Sequence, residues 1–292
     1  MPMRSVYSHA IPVLAIVGVL AAWGLAVMPT EPEISNQEVE PAAIAETASS
    51  TPPQAIGNYI EIVGSCGPHF QGECVNVRSG PGDAYPAVSQ LRNGVVLMVA
   101  TTTSIDSDGR GWSKIIFNEW IRYPERVSGE WYVASEYTRS FRDTGSQELD
   151  SSFPTALREA GTSLGLIPEK RIVVDRSEQK LYAYENDTLF LESAISTGLD
   201  LTPTPRGTFT VYRKTPSRYM QGPLPGISNE YYDLPGVPWN LYFTKEGGAI
   251  HGAYWHDEFG TQHSHGCVNL PLDSARILYD WAPLGTKVVV QD

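Results

Sequence analysis

The sequence predicts a mainly β protein with one or two helices, on three observations. From about residue 58 onward, short runs that alternate or are rich in β-branched and aromatic residues recur along the chain. Abundant glycine and proline, 26 and 22 residues, punctuate them with turns. Only two stretches carry apolar residues at helical spacing.

The elements follow in order. Residues 59–63 alternate, 95–100 form a continuous apolar run, and Trp131-Tyr132-Val133 is aromatic and β-branched, with turns at Gly80-Pro81-Gly82 and Arg92-Asn93-Gly94. Residues 154–164 make a short helix with Leu157, Ala160 and Leu164 on one face. Residues 171–175, 180–184, 189–191, 207–212, 241–243 and 287–290 read as strands, and Glu185-Asn186-Asp187 as a hairpin turn. Leu272, Ala275, Leu278 and Trp281 mark the second helix. The Gly/Pro-rich stretch 220–237 reads as a lid loop, and no internal repeat is evident.

The organisation is as follows. Residues 1–28 contain an uncharged apolar run, 11–28, behind Arg4, and the following stretch is acidic, with no Lys or Arg until Arg78. This is a membrane-targeting segment that directs the remainder outward; a cleaved leader and a retained anchor both fit its length. Residues 29–57 are a Glu/Pro/Ala/Ser tether too poor in apolar surface to offset ordering entropy. Residues 58–142 form a small all-β domain, 143–169 a connecting segment with the short helix, and 170–292 a second β-rich domain. Each domain is large enough to bury its own core. Cys66 and Cys74, between strand-like segments of an exported chain, suit a disulfide closing a short loop, with two free thiols as the alternative. The net charge of −12 makes nucleic acid a poor partner.

Four of the six histidines lie between His251 and His265, the last of them two residues before Cys267 in Ser264-His265-Gly266-Cys267-Val268-Asn269. A thiol so close to imidazoles is a candidate nucleophile, because the thiolate attacks carbonyls and an imidazole can take the proton. Gly266 lets the backbone bend so that amides around Cys267 can face an oxyanion. Two other readings stand beside this one: Cys267 as a small core residue, and a metal site made by the four histidines with Cys267. The spacings do not repeat a paired ligand unit and no second thiol is near, which argues against the metal. His256 and His263 are expected as exposed loop residues.

Ile250-His251-Gly252 followed by Ser264-His265-Gly266-Cys267-Val268-Asn269 resembles the active-site signature of the L,D-transpeptidase (YkuD-type) family of peptidoglycan enzymes. Thr202-Pro203-Thr204-Pro205-Arg206-Gly207-Thr208-Phe209 resembles the family's turn and strand, and Gln179-Lys180-Leu181-Tyr182-Ala183-Tyr184 its opening hairpin. Val75-Asn76-Val77-Arg78-Ser79-Gly80-Pro81-Gly82, with residues 91–95 and 131–137, resembles the bacterial SH3-like domain. The implied fold is therefore a small SH3-like β-barrel followed by a β-rich L,D-transpeptidase domain.

The resemblance implies that Cys267 is the nucleophile and His251 the general base, oriented by a backbone carbonyl near Gly252, with His265 the second candidate base. Backbone amides of the His265-Gly266-Cys267 turn are the expected oxyanion hole. Ser264 and Asn269 are expected to hold the turn and substrate. The family often has Arg where Asn269 stands. Tyr232, Tyr254 and Trp255 are expected at the cleft, while Trp239 and Tyr242 fit either its walls or the core. The implied partners are peptidoglycan stem peptides, the cell wall through the SH3-like domain, and the membrane through the N-terminal segment; no metal or cofactor is called for. The expected enzyme works outside the cytoplasm, forming 3-3 cross-links or, with water as acceptor, trimming stems. A non-catalytic wall-binding protein is the reading from a different class.

Overall fold

The computed structural model describes residues 57–117, 121–143, 155–223 and 231–292. The expected targeting segment 1–28, the tether up to residue 56, the loop 144–154 and the tip 224–230 of the expected lid lie outside the described residues. Among the described residues no helix is long and apolar enough to cross a membrane.

The N-terminal β unit contains β1 (Gly57–Ile62), β2 (Val75–Arg78), β3 (Ala87–Leu91), β4 (Val96–Ile105), β5 (Gly111–Ile115), β6 (Tyr132–Ala134) and β7 (Thr138–Asp143). They form one sheet in the order β3-β2-β6-β5-β4-β1-β7, and every pairing in it is antiparallel. Strand alternation places Ile60, Ile62, Val75, Val77, Leu97, Ile115 and Val133 in a shared core. Cys66 and Cys74 are joined, with Cα atoms 4.4 Å apart.

A helix, α1 (Thr155–Ser163), leads to β8 (Lys170–Asp175), β9 (Lys180–Glu185), β10 (Thr188–Ala194) and β11 (Gly207–Thr210). The expected apolar face of α1 is not buried: Leu157 is 57% and Leu164 73% exposed, and Ala160 is exposed. Helical spacing reports periodicity, and here nothing described covers the stripe. Asn186 turns the β9–β10 hairpin with φ 54°, a conformation asparagine tolerates better than most residues.

A second sheet of this half follows: β12 (Arg213–Pro223), β13 (Tyr231–Tyr242), β14 (Ala249–Gly252) and β15 (Val268–Leu270), in that order. Residues 220–237, expected as a lid over the cleft, lie in their described part in the paired strands β12 and β13, and Met220, Tyr232 and Leu234 from these strands line the cavity described below. Helix α2 (Leu272–Trp281) comes next. The final strand β16 (Lys287–Gln291) then enters the first sheet of this half between β8 and β11, giving β10-β9-β8-β16-β11. Val288 and Val290 from β16, Ile172 and Val174 from β8, Ala275 and Leu278 from α2, and Ile250, Val268 and Leu270 from β14 and β15 share one core, so α2 and both sheets close over the same apolar interior.

The expectation of two separate cores is corrected. Tyr59 and Val96 from the N-terminal unit lie in the core of the C-terminal half, while Val237 and Tyr254 lie in that of the N-terminal unit. The Phe141 ring packs 5.4 Å from Trp239, which in turn packs 5.5 Å from Tyr279. Gly236 carries φ 62°, and a Cβ there would fall 2.4 Å from the Val96 carbonyl oxygen, so this joint requires glycine. Glu61 in β1 receives Arg276 of α2 at 3.1 Å. The two halves are a single packed body over the described residues, which fixes the N-terminal unit against the site described next.

Candidate active site

β14 and β15 run parallel, with Ile250 opposite Val268 and His251 opposite Asn269. Cys267 immediately precedes β15 and lies beside Ala249, diagonally across from His251. From a strand spacing of about 4.8 Å and a rise of about 3.3 Å per residue, their Cα atoms are about 8 Å apart, a span that an imidazole and a thiol on one face can bridge. Both side chains line one cavity of about 290 Å³, together with Tyr232, Trp255, His265 and Asn269.

The sulfur is held by the turn that feeds β14. The Ala249 amide donates to Sγ, and the Cys267 thiol faces the Gly247 carbonyl at 4.0 Å. Burial pushes the thiol pKa up, and the Ala249 hydrogen bond offsets this only in part. His251 is buried, 2% exposed, and its Nδ1 donates to the Gly252 carbonyl at 3.0 Å. A carbonyl oxygen only accepts, so this bond puts the ring proton on Nδ1 and leaves Nε2 a free acceptor. Burial lowers the His251 pKa to about 4, with the Gly252 bond opposing weakly. The resting pair is therefore a neutral thiol with a neutral imidazole, an arrangement in which the thiol proton can pass to Nε2.

The cysteine turn is tied down on the side away from β14. Gly266 takes φ 119°, a left-handed conformation open to glycine. The Thr204 hydroxyl accepts from the Gly198 amide at 2.9 Å and donates to the Cys267 carbonyl at 3.3 Å. Ser264 is buried: its amide donates to Thr197 at 3.0 Å and its carbonyl accepts from Leu199 at 2.9 Å. Gln179 in turn accepts from the Thr197 amide at 2.8 Å and donates to the Thr197 hydroxyl at 2.7 Å. Asn269 exchanges backbone hydrogen bonds with Ser196, 2.9 Å each, and its side-chain amide donates to His256 Nε2 at 3.0 Å.

The remaining expected residues divide. Tyr232 stacks on His265 with ring centroids 6.0 Å apart, and Trp255 lies 5.8 Å from the His251 ring. Burial, and then His263, lower the His265 pKa. Tyr254 is not in the cleft: it is 4% exposed, its hydroxyl donates to the Pro235 carbonyl at 2.7 Å, and it packs into the N-terminal core. Tyr254 and Trp255 lie in a bend after β14, where strand alternation does not apply, and their aromatic type does not say which of them lines the cavity. Trp239 and Tyr242 are buried core residues. His256, expected to be exposed, is 1% exposed and bonded to Asn269; burial lowers its pKa to about 4. His263 is exposed, as expected, and sits 3.5 Å from Glu258.

Thr204 and Ala249 had no assigned role in the sequence, although Thr204 lies inside the Thr202–Phe209 motif. Arg92, from the N-terminal unit, also lines the cavity; no local pattern points to it, because its arrival depends on how the two halves pack.

Known proteins share this stretch of chain. The family model for the YkuD L,D-transpeptidase catalytic domain matches residues 169–290. The chain is 31% identical over 137 residues to the probable L,D-transpeptidase ErfK/SrfK of Escherichia coli, covering 42% of this chain and 44% of that protein. It is 32% identical over 142 residues to the putative L,D-transpeptidase YciB of Bacillus subtilis, covering 42% of this chain and 68% of that protein. A crystal structure of Enterococcus faecium L,D-transpeptidase is 30% identical, with a TM-score of 0.39 over 43% of this chain and 51% of that one. The match thus spans under half the length of the first of these relatives. The parallel strands that bring His251 beside Cys267 fall within the matched stretch, and the chain belongs to the L,D-transpeptidase family.

Proposed function

We propose that the chain is an exported peptidoglycan L,D-transpeptidase that forms 3-3 cross-links through a thioester on Cys267. The observation that carries this reading is the pinned His251, proton on Nδ1 and Nε2 free, in one cavity with the only unbridged cysteine of the chain. In the first step, Sγ attacks the carbonyl of the third residue of a donor tetrapeptide stem and His251 Nε2 accepts the thiol proton. The tetrahedral oxyanion forms beside the His265-Gly266-Cys267 turn, whose backbone amides serve as donors; losing one such donor typically costs about 2.7 to 4 kcal/mol. The bond to the terminal D-alanine nitrogen then breaks, His251 returns the proton to that amine, and a thioester remains. In the second step, the side-chain amine of an acceptor stem attacks the thioester, its proton passes to His251, and as the carbon–sulfur bond breaks His251 returns that proton to Sγ, releasing the cross-linked product and restoring the neutral pair.

On this reading the resting thiol need not be ionised, because His251 draws off the proton as the sulfur–carbon bond forms. Trp255 covers one side of the imidazole and Tyr232 braces His265, so both aromatics shape the cavity around the acyl group. The N-terminal β unit is the SH3-like domain of the chain and serves wall targeting. Residues 1–28 hold or send the enzyme to the outer side of the membrane, where the Cys66–Cys74 bridge persists.

The test is incubation with purified disaccharide-tetrapeptides and mass analysis of the products, with Cys267→Ala as control. Dimers that depend on Cys267 support cross-linking. Tripeptides alone indicate that water replaces the amine, and no product from folded, reduced protein refutes the enzymatic reading.

A further inference from the structure

The catalytic cavity has a neighbour of similar size, about 310 Å³, and Arg92 and Leu234 line both. The second cavity lies between the N-terminal unit and the β12–β13 hairpin, with Phe70, Trp131, Tyr219 and the ion pair Arg126–Asp233 in its walls. Among the described residues, Arg92 is thus the one charged side chain lining both.

Its position is fixed from both halves. Arg92 follows β3, and its backbone bridges to Cys66. The next residue, Asn93, accepts from the Ser65 amide and donates to the Ser65 carbonyl, 2.7 Å each. The guanidinium lies 3.6 Å over the ring of Phe70, which sits in the loop closed by Cys66 and Cys74. That same loop reaches the catalytic half through His69, 3.2 Å from Asp257. Arg126 is paired with Asp233, whereas among the described residues no carboxylate acts on Arg92; burial is the largest influence on it and disfavours its charged form. A half-buried guanidinium with no anion among the described residues, held stiffly where it lines a candidate nucleophile's cavity, presents a planar fork of N–H donors that matches a carboxylate.

We infer that Arg92 binds a carboxylate of the peptide substrate presented to Cys267, and that the second cavity receives the part of the peptide beyond that carboxylate. The N-terminal unit then completes the substrate site as well as positioning the enzyme. The inference rests on the peptide donor proposed above.

The test is equilibrium binding to the Cys267→Ala protein, which cannot turn over. Two probes are titrated: a stem tetrapeptide with free carboxylates, and the same peptide with them amidated. Adding Arg92→Met, which keeps an apolar stem over Phe70, is expected to weaken the free-carboxylate peptide about 10- to 100-fold and leave the amidated peptide unchanged. Equal weakening of both peptides, or of neither, overturns the inference while leaving the peptide reading intact. Failure of both to bind with Arg92 present removes the peptide reading, and the inference with it. An unchanged rate of Cys267 alkylation in Arg92→Met alone verifies that the catalytic cavity is undisturbed.

Discussion

Acid should unfold this protein through two buried imidazoles, His251 in the cavity it shares with Cys267 and His256 bonded to Asn269. His251 and His256 are 2% and 1% exposed, and burial lowers each pKa from 6.5 to about 4. In the unfolded chain both regain ordinary values, so between about pH 4 and 6.5 the unfolded state binds more protons than the folded one. Stability is therefore complete above about 6.5 and falls as pH drops toward 4, by about 3 kcal/mol for each ring. The two losses do not add fully, because His251 already contributes to the lowering at His256. Urea unfolding at pH 7.5 and 4.0 measures the difference for the wild type and for His256→Asn. The variant should lose about 2 to 3 kcal/mol less on acidification, the share of one ring. Equal acid sensitivity in both would show that these rings are not held neutral by burial. The same reasoning puts the acid limb of kcat/KM for the free enzyme near pH 4, and a limb near 6.5 would contradict it.

Three further outcomes follow from individual contacts. Thr204→Val removes the acceptor of the Gly198 amide and the donor to the Cys267 carbonyl. It should cost about 1 to 3 kcal/mol of stability and lower kcat more than it raises KM, and steady-state kinetics with unchanged kcat would count against its role in placing the turn. Cys66→Ser opens a loop of sequence separation 8 and should cost about 2 to 3 kcal/mol, with kcat retained; identical thermal melting of oxidised wild type and variant would contradict the bridge. Tyr254→Phe loses the hydroxyl bond to Pro235 and should cost about 1 kcal/mol without altering kcat/KM, whereas a large kinetic defect would return Tyr254 to the cleft.

What could be read from the sequence was local. The His251 and Cys267 segments are contiguous motifs, and the strands around residues 180–184 and 287–290, the Asn186 turn and helix α2 each follow from periodicity or turn chemistry within a few residues. What could not be read depends on partners far away in the chain. Tyr254 and Trp255 are adjacent and both aromatic, yet Tyr254 is buried in the N-terminal core and Trp255, packed at its edge, lines the cavity that holds Cys267. His256 reads as a loop histidine until Asn269, thirteen residues later, folds back on it. The run 220–237 is rich in glycine and proline, and only pairing across the sheet reveals that its described residues, 220–223 and 231–237, lie in strands. Arg92 reads as a turn residue, and it reaches the cavity because Val96 and Gly236 lock the two halves together.

In the proposed mechanism the Cys267 sulfur becomes covalently acylated while His251 takes its proton. Intact-protein and peptide mass spectrometry after incubation with a carbapenem-type β-lactam tests this most directly, because a stable adduct reports the first chemical step alone. The account predicts one added mass, mapped to Cys267, absent in Cys267→Ala and formed about 10²- to 10⁴-fold more slowly in His251→Asn. An adduct that survives Cys267→Ala, or forms at the wild-type rate without His251, would contradict it.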